Sequence, residues 1–233
     1  MQCIKSQLLL WSLCALLADS VGAYGLKIFG PLGKLILTVY ASDVILVLLM
    51  YIPMVALLAK FPVKKWLQGI WKVWVVTAST TSSSGSLPIT TSVTNDEFGV
   101  SSELSSFSLP LGATINMNGG CIYYAAAIVM TAQIYGMNLT PSALVNIIIS
   151  TVLVAMGCPG VPGGAIIMTT ILLTNMGLPL EIVGLIAGIF RLIDMANTTF
   201  NVTGDVVTTM VVARSEGMMH TLGTGAETET KAA

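Results

Sequence analysis

Charged side chains are scarce in this sequence: Asp, Glu, Lys and Arg make up 9% of its 233 residues, against 55% hydrophobic. An ordinary soluble domain carries about 25% charged residues. So few charges cannot clothe a globule in water, and lipid is the expected solvent for much of the surface. The formal net charge of -1 leaves no basic patch, which excludes a nucleic-acid partner. Histidine occurs once, as His220 in a polar C-terminal stretch, so no imidazole base or metal ligand lies at membrane depth. The four cysteines, Cys3, Cys14, Cys121 and Cys158, lack metal-ligand spacing and lie in apolar runs, as packing residues do. Met1 to Gln7 leads into an apolar run without a small-residue cleavage site, so no cleavable signal is expected.

What is present is long and apolar. Residues 8–26 are apolar apart from Asp19 and Ser20, enough for most of a crossing. Residues 35–59 follow, about 25 residues or ~37 Å of helix, which spans a ~30 Å hydrocarbon core with some tilt. Lys60, Lys64, Lys65 and Lys72 come next and place that end on the cytoplasmic side. Asp43 sits midway along this helix and is expected to make a polar contact with a neighbouring helix.

The pattern then changes. An apolar stretch from Trp66 runs into Thr80-Thr81-Ser82-Ser83-Ser84-Gly85-Ser86-Leu87-Pro88, which cannot continue as a lipid-facing helix. A Gly-interrupted helix is expected over 104–135. Residues 144–156 are too short to cross and break at Gly157-Cys158-Pro159-Gly160-Val161-Pro162-Gly163-Gly164, and a further short run returns from the break. A long helix covers about 180–213, and 214–233 reads as a disordered polar tail.

The expected fold is therefore an all-α membrane protein. Two transmembrane helices (1–65) precede a transport core (66–213) of two re-entrant helical hairpins, each followed by a longer helix. Hairpin 1 covers about 66–103, the broken helix 104–135, hairpin 2 about 143–177, and the last helix 180–213. Thr114-Ile115-Asn116-Met117-Asn118-Gly119 lines up with Thr199-Phe200-Asn201-Val202-Thr203-Gly204. Paired interrupted segments in two halves point to an inverted-repeat transporter with its site between the breaks.

The last helix carries Asp194, Thr198, Asn201, Asp205 and Thr208 at spacings of 4, 3, 4 and 3, one face of a helix. Two carboxylates in a membrane helix cost about 2.5–3.5 kcal/mol each at the lipid face, so the stripe faces a cavity or cations. The two acids lie 11 residues apart, about 16 Å, too far to share a proton. Asp205, beside Asn201, Asn116 and unwound backbone, has the oxygen ligands hard cations prefer. Asp194, nearer the hairpin tips, suits a substrate ammonium. Half-helix N-termini at the two breaks present N–H groups suited to a substrate carboxylate. An intramembrane serine hydrolase lacks a base at depth. A channel would also show polar stripes, but two dead-ended hairpins suit an occluded site better.

Taken together, the serine tip 82–88, Leu109-Pro110-Leu111-Gly112-Ala113-Thr114-Ile115-Asn116-Met117-Asn118-Gly119, Gly160-Val161-Pro162-Gly163, and Asp194-Met195-Ala196 with Asn201-Val202-Thr203-Gly204-Asp205 resemble the dicarboxylate/amino acid:cation symporters, the glutamate transporter relatives. The resemblance covers about 66–216. It implies a homotrimer in the cell membrane whose transport domains move like elevators, with hairpin 2 as gate and Na⁺ or H⁺ as coupling ion. It implies that Ser83, Ser84, Val161, Pro162, Gly163, Asp194, Asn197, Thr198 and Asn201 surround the substrate. It assigns cation binding to Gly112, Thr114, Asn116, Asn118, Asn201 and Asp205, with the backbone of 154–156 near Thr114. Three positions depart from the family pattern: Asn197 replaces an Arg that clamps a second carboxylate, Asn118 replaces a cation-binding Asp, and Phe190 replaces an Asp. The expected substrate is therefore a neutral amino acid, the alternative an acidic amino acid or dicarboxylate. The family's scaffold helices have no counterpart before Leu8, so a fragment is expected.

Overall fold

The structure, a computed structural model, describes Gly22 and residues 29–220. The first expected crossing, at 8–26, lies outside the described residues. Those described are all-helical apart from one isolated pairing between Val100 and Met219.

Helix α1 is Phe29–Leu46, and it continues through two wide π-turns, Val47–Tyr51 and Met54–Leu58. Pro53 stands between those turns, where it cannot donate to the preceding carbonyls and widens the coil. Leu32, Leu35, Val39, Asp43, Val47, Tyr51 and Val55 are buried along one stripe of this helix, at helical spacing. Its other side exposes Leu37, Leu48, Leu49 and Leu57. Phe29–Leu58 and Glu181–Ser215 are the two described helices long and apolar enough to cross a membrane.

Helix α2 (Val63–Thr80) ends on Thr81 in the left-handed conformation, φ 49°. A 3₁₀ turn (Ser84–Ser86) and α3 (Leu87–Asp96) follow, with Pro88 in the first turn of α3. Helix α4 (Ser102–Ile115) is capped by the Ser101 hydroxyl, which accepts from the Leu104 N–H, and it contains Pro110. The chain unwinds at Asn116 and Met117 before α5 (Asn118–Ile134). Helix α6 (Pro141–Met156) starts on a Thr140 cap with Pro141 at its first position, as helix starts favour. After a break, α7 (Gly164–Asn175) begins from Gly163, whose φ of 80° a side chain would resist. The last helix, α8 (Glu181–Ser215), has 35 residues and packs against α1, α2, α4, α5 and α7.

Two apolar clusters divide the interior. One joins α1's Leu32–Val39 end to α5, α6, α7 and the first half of α8. The other joins Val47–Ala59 to α2, α4 and the second half of α8. Asp43 and the stretch Asn197–Asn201 lie at the seam between them, so α8 meets its polar partners where neither cluster fills the space.

The phrase 199–204 lies inside the continuous helix expected there, while its counterpart 114–119 unwinds at Asn116 and Met117. Two expectations need correction. Residues 214–220 of the expected disordered tail are ordered, since α8 runs to Ser215, Met218 accepts from the Ser101 N–H and the His220 N–H donates to Gly99 at 2.7 Å, while 221–233 lie outside the described residues. Asp43 makes no polar contact to a neighbouring helix: both carboxylate oxygens are buried without a hydrogen-bond partner among the described residues.

Candidate functional site

The two helix breaks meet. Ser82 Oγ donates to the Gly160 carbonyl at 3.0 Å, and the Ser84 N–H reaches the same oxygen at 3.3 Å. A Cβ on Gly160 would stand 2.5 Å from the Ala113 carbonyl, so α4 also closes on this point and only glycine fits there. The hydroxyl run lets the first tip turn without a continuous helix: Ser82 Oγ caps the Gly85 N–H and Ser86 Oγ bonds the Ser82 carbonyl.

Helix α8 runs beneath the joined tips. Asp194 accepts from the Gly163 N–H at 3.4 Å, so the start of α7 points its free backbone donors at this carboxylate. Asn201 Oδ1 accepts from the Gly119 N–H at 2.8 Å and fixes the start of α5 against α8. Asn197 is buried, and neither its amide oxygen nor its nitrogen has a partner among the described residues. Ser83, Val161, Asp194, Asn197, Thr198 and Asn201 line one cavity under the tips, with about 20 Å³ of free volume. That is room for one water and far below the several hundred Å³ of an ordinary ligand pocket, so the tips are shut. Of the other expected substrate residues, Gly163 reaches the site through its N–H, while Ser84 and Pro162 are exposed and do not line the cavity.

The expected cation residues divide. Asp205 Oδ1 accepts from Asn116 Nδ2 at 2.7 Å, and the same amide approaches the Asn201 carbonyl at 3.4 Å. Gly112 lies against the Asp205 carboxylate, which would overlap any Cβ there. Gly112, Asn116 and Asp205 line a separate cavity of about 370 Å³, with Met156 on its wall. The Asp205 carboxylate is the kind of ligand a hard cation prefers, and the Asn116 amide turns its nitrogen to it here. Among the described residues, no cluster of three His, Cys, Asp or Glu side chains offers the ligands of a transition metal. Asn118 is set apart: its amide donates to the Tyr51 hydroxyl at 2.9 Å, which in turn donates to the Phe200 carbonyl at 3.1 Å. Thr114, expected near a second cation with the backbone of 154–156, has an exposed hydroxyl that donates to the Leu111 carbonyl at 2.7 Å.

Tyr51 and Thr81 escaped sequence reasoning. Tyr51 sits in an unbroken apolar run, and nothing in that run marks it as the partner of Asn118. Thr81 lines the tip cavity and takes a hydrogen bond from Arg191, whose other nitrogen donates to the Ser79 carbonyl at 2.9 Å. The cationic end of Arg191 thus pins the first tip to α8. The single histidine, His220, is held beside Gly99, away from the serine tip.

Comparison with known proteins places the chain in a family. The model of the sodium:dicarboxylate symporter family matches residues 9–215. The chain is 31% identical over 202 residues to the proton/glutamate-aspartate symporter of Bacillus subtilis (strain 168), covering 87% of this chain and 48% of that one. It is 30% identical over 204 residues to the proton/sodium-glutamate symport protein of Geobacillus stearothermophilus, again 87% and 48%. It is 36% identical over 141 residues to an excitatory amino acid transporter of Caenorhabditis elegans, 60% of this chain and 28% of that one. The chain thus spans about half the length of its bacterial relatives or less than a third of the nematode one.

Proposed function

Because this chain belongs to the sodium:dicarboxylate symporter family, we propose that it supplies the substrate-binding core of a membrane symporter driven by Na⁺ or H⁺. The observation that carries this reading is the meeting of two helix breaks, through the Gly160 carbonyl, over the buried Asp194–Asn201 face. In this reading both hairpins enter the bilayer and turn back, and the whole assembly is a trimer.

The groups that would bind the solute now hold the site shut. The Gly163 N–H is committed to Asp194 and the Ser84 N–H to Gly160. Parting the tips frees these donors for a carboxylate and frees Asp194 for an ammonium. The second hairpin is the one that moves. The first is tied to α8 by Arg191 and by the Thr77–Thr199 hydrogen bond at 3.0 Å. By contrast α6 buries only Ile147, Thr151 and Ala155, and Val161 at its tip is exposed. A bound cation neutralises Asp205, with Asn116, the Asn201 carbonyl and the Gly112 backbone as its other neighbours. Each charge moved inward gains about 2.3 kcal/mol per 100 mV.

The relatives' names favour an acidic amino acid as the substrate. A second reading, a neutral amino acid, is favoured by Asn197. An amide in the cavity wall gives a second carboxylate no bidentate cation, and its two unpartnered atoms suit a polar uncharged group. Competition for labelled aspartate and labelled serine on the reconstituted chain, with and without Na⁺, separates the readings. Displacement by aspartate and glutamate alone supports the first, and displacement by serine or alanine alone supports the second. Binding of neither, with or without Na⁺, refutes the symporter reading, and binding that ignores Na⁺ points to H⁺ as the coupling ion.

A further inference from the structure

Asp43 is the most anomalous side chain outside the site. It is fully buried on the α1 stripe, one turn from Val39 on one side and from Val47 on the other, and both carboxylate oxygens lack a partner among the described residues. A leucine there would pack as its neighbours do. An unpaired buried polar group costs about 1–3 kcal/mol, and an unpaired charge considerably more. Asp43 therefore costs stability with no structural return, which is the signature of a working group in a membrane helix.

Its surroundings choose the ligand. A metal cation needs several oxygens, and among the described residues neither Asp43 oxygen has a hydrogen-bonding partner. A proton needs only the carboxylate itself. The titratable groups of the elements packed on α1 leave it uncompensated. Tyr40 and Tyr51, on its own helix, donate to the Leu192 and Phe200 carbonyls of α8. On α8, Arg191 is spent on Thr81 and Ser79, Asp205 pairs with Asn116, and Asp194 with Gly163. On α5 stand Cys121, Tyr123 and Tyr124, none of them cationic. Lys34 lies nine residues away on α1, about 13 Å.

We propose that Asp43 is a proton-binding site of the membrane core, separate from the cation site at Asp205, and that it exchanges one proton as α8 shifts against α1. The two tyrosine bonds to α8 carbonyls bracket Asp43, so a movement of the helix that carries the substrate residues opens or closes this seam. The exchange rests on the symporter reading above. That Asp43 holds a proton at rest does not.

The test has two arms on the purified chain in lipid nanodiscs. Infrared spectra near neutral pH should show a protonated-carboxyl band that is lost in Asp43→Asn, whether or not any solute binds. No lost band overturns the proposal. In the second arm, the affinity for the amino acid that binds, measured across pH, should change by up to tenfold per pH unit in the native chain and stay flat in Asp43→Asn, which still binds. An equal slope in both, or none in the native chain, overturns the proton exchange. Absence of binding in both refutes the symporter reading and leaves the infrared arm to decide the resting proton. Asp43→Leu serves as a second subtraction, since a neutral acid can be replaced by a hydrocarbon without loss. If neither variant folds, Asp43 is a structural residue and the proposal falls.

Discussion

Replacing Gly160 by alanine tests the junction of the tips most directly. The added Cβ would stand 2.5 Å from the Ala113 carbonyl, 3.1 Å from Ser84 Oγ and 3.4 Å from Ser83 Cβ. Relieving the first contact means moving the second tip by about an ångström, and overpacking of this kind costs about 1–3 kcal/mol. The same displacement stretches both hydrogen bonds to the Gly160 carbonyl, each worth about 1 kcal/mol. The closed state should lose about 2–4 kcal/mol relative to the open one. Because the tips must part before a solute enters, apparent substrate affinity should rise, by up to about 30- to 700-fold. The global fold should hold, since the strain is confined to a loop between helices. Equilibrium binding of labelled aspartate or serine in saturating Na⁺, paired with a thermal melt, reads both quantities. An unchanged affinity with an unchanged melt would refute the tight three-way contact.

The remaining expectations concern single groups. Asp205→Asn keeps the shape beside Gly112 but removes the charge, so Na⁺ stimulation of substrate binding should fall at least tenfold, and a sodium titration of binding checks it. Tyr51→Phe removes the hydroxyl between Asn118 and Phe200 and strands a half-buried amide donor, which should lower stability by about 1 kcal/mol in a denaturation series. Asn197→Arg restores a fork for a second carboxylate and should shift preference from serine toward aspartate by about tenfold or more, read from competition constants.

Some of this was legible in the residues because composition alone forbids a continuous helix. The serine run and the Gly-Pro run announce two breaks, and the polar spacing along 194–208 announces one wet helix face. What pairs across the chain was not legible. Nothing near Ser82 names Gly160 as its acceptor, 78 residues on, and nothing near Tyr51 names Asn118. The matched phrases 114–119 and 199–204 read alike yet differ in backbone. The second stays helical throughout, while the first unwinds at Asn116, whose amide turns to Asp205 and Asn201. Asp43 looked like an ordinary interhelical contact, because sequence shows a polar residue among apolar ones but not whether a donor stands opposite.

The length of α8 has a consequence for its ends. Its 35 residues extend about 52 Å, while the hydrocarbon layer is about 30 Å thick. Hiding the whole rod in lipid would take a lean of about 55°, beyond the 0–40° that such helices adopt. Roughly a third of it therefore stands among headgroups and water. Arg214 and the short pairing of Val100 with Met219 sit at one such end. That end offers a handle for a probe or an antibody fragment, one that reports the tilt of the whole rod without disturbing the chemistry midway along it.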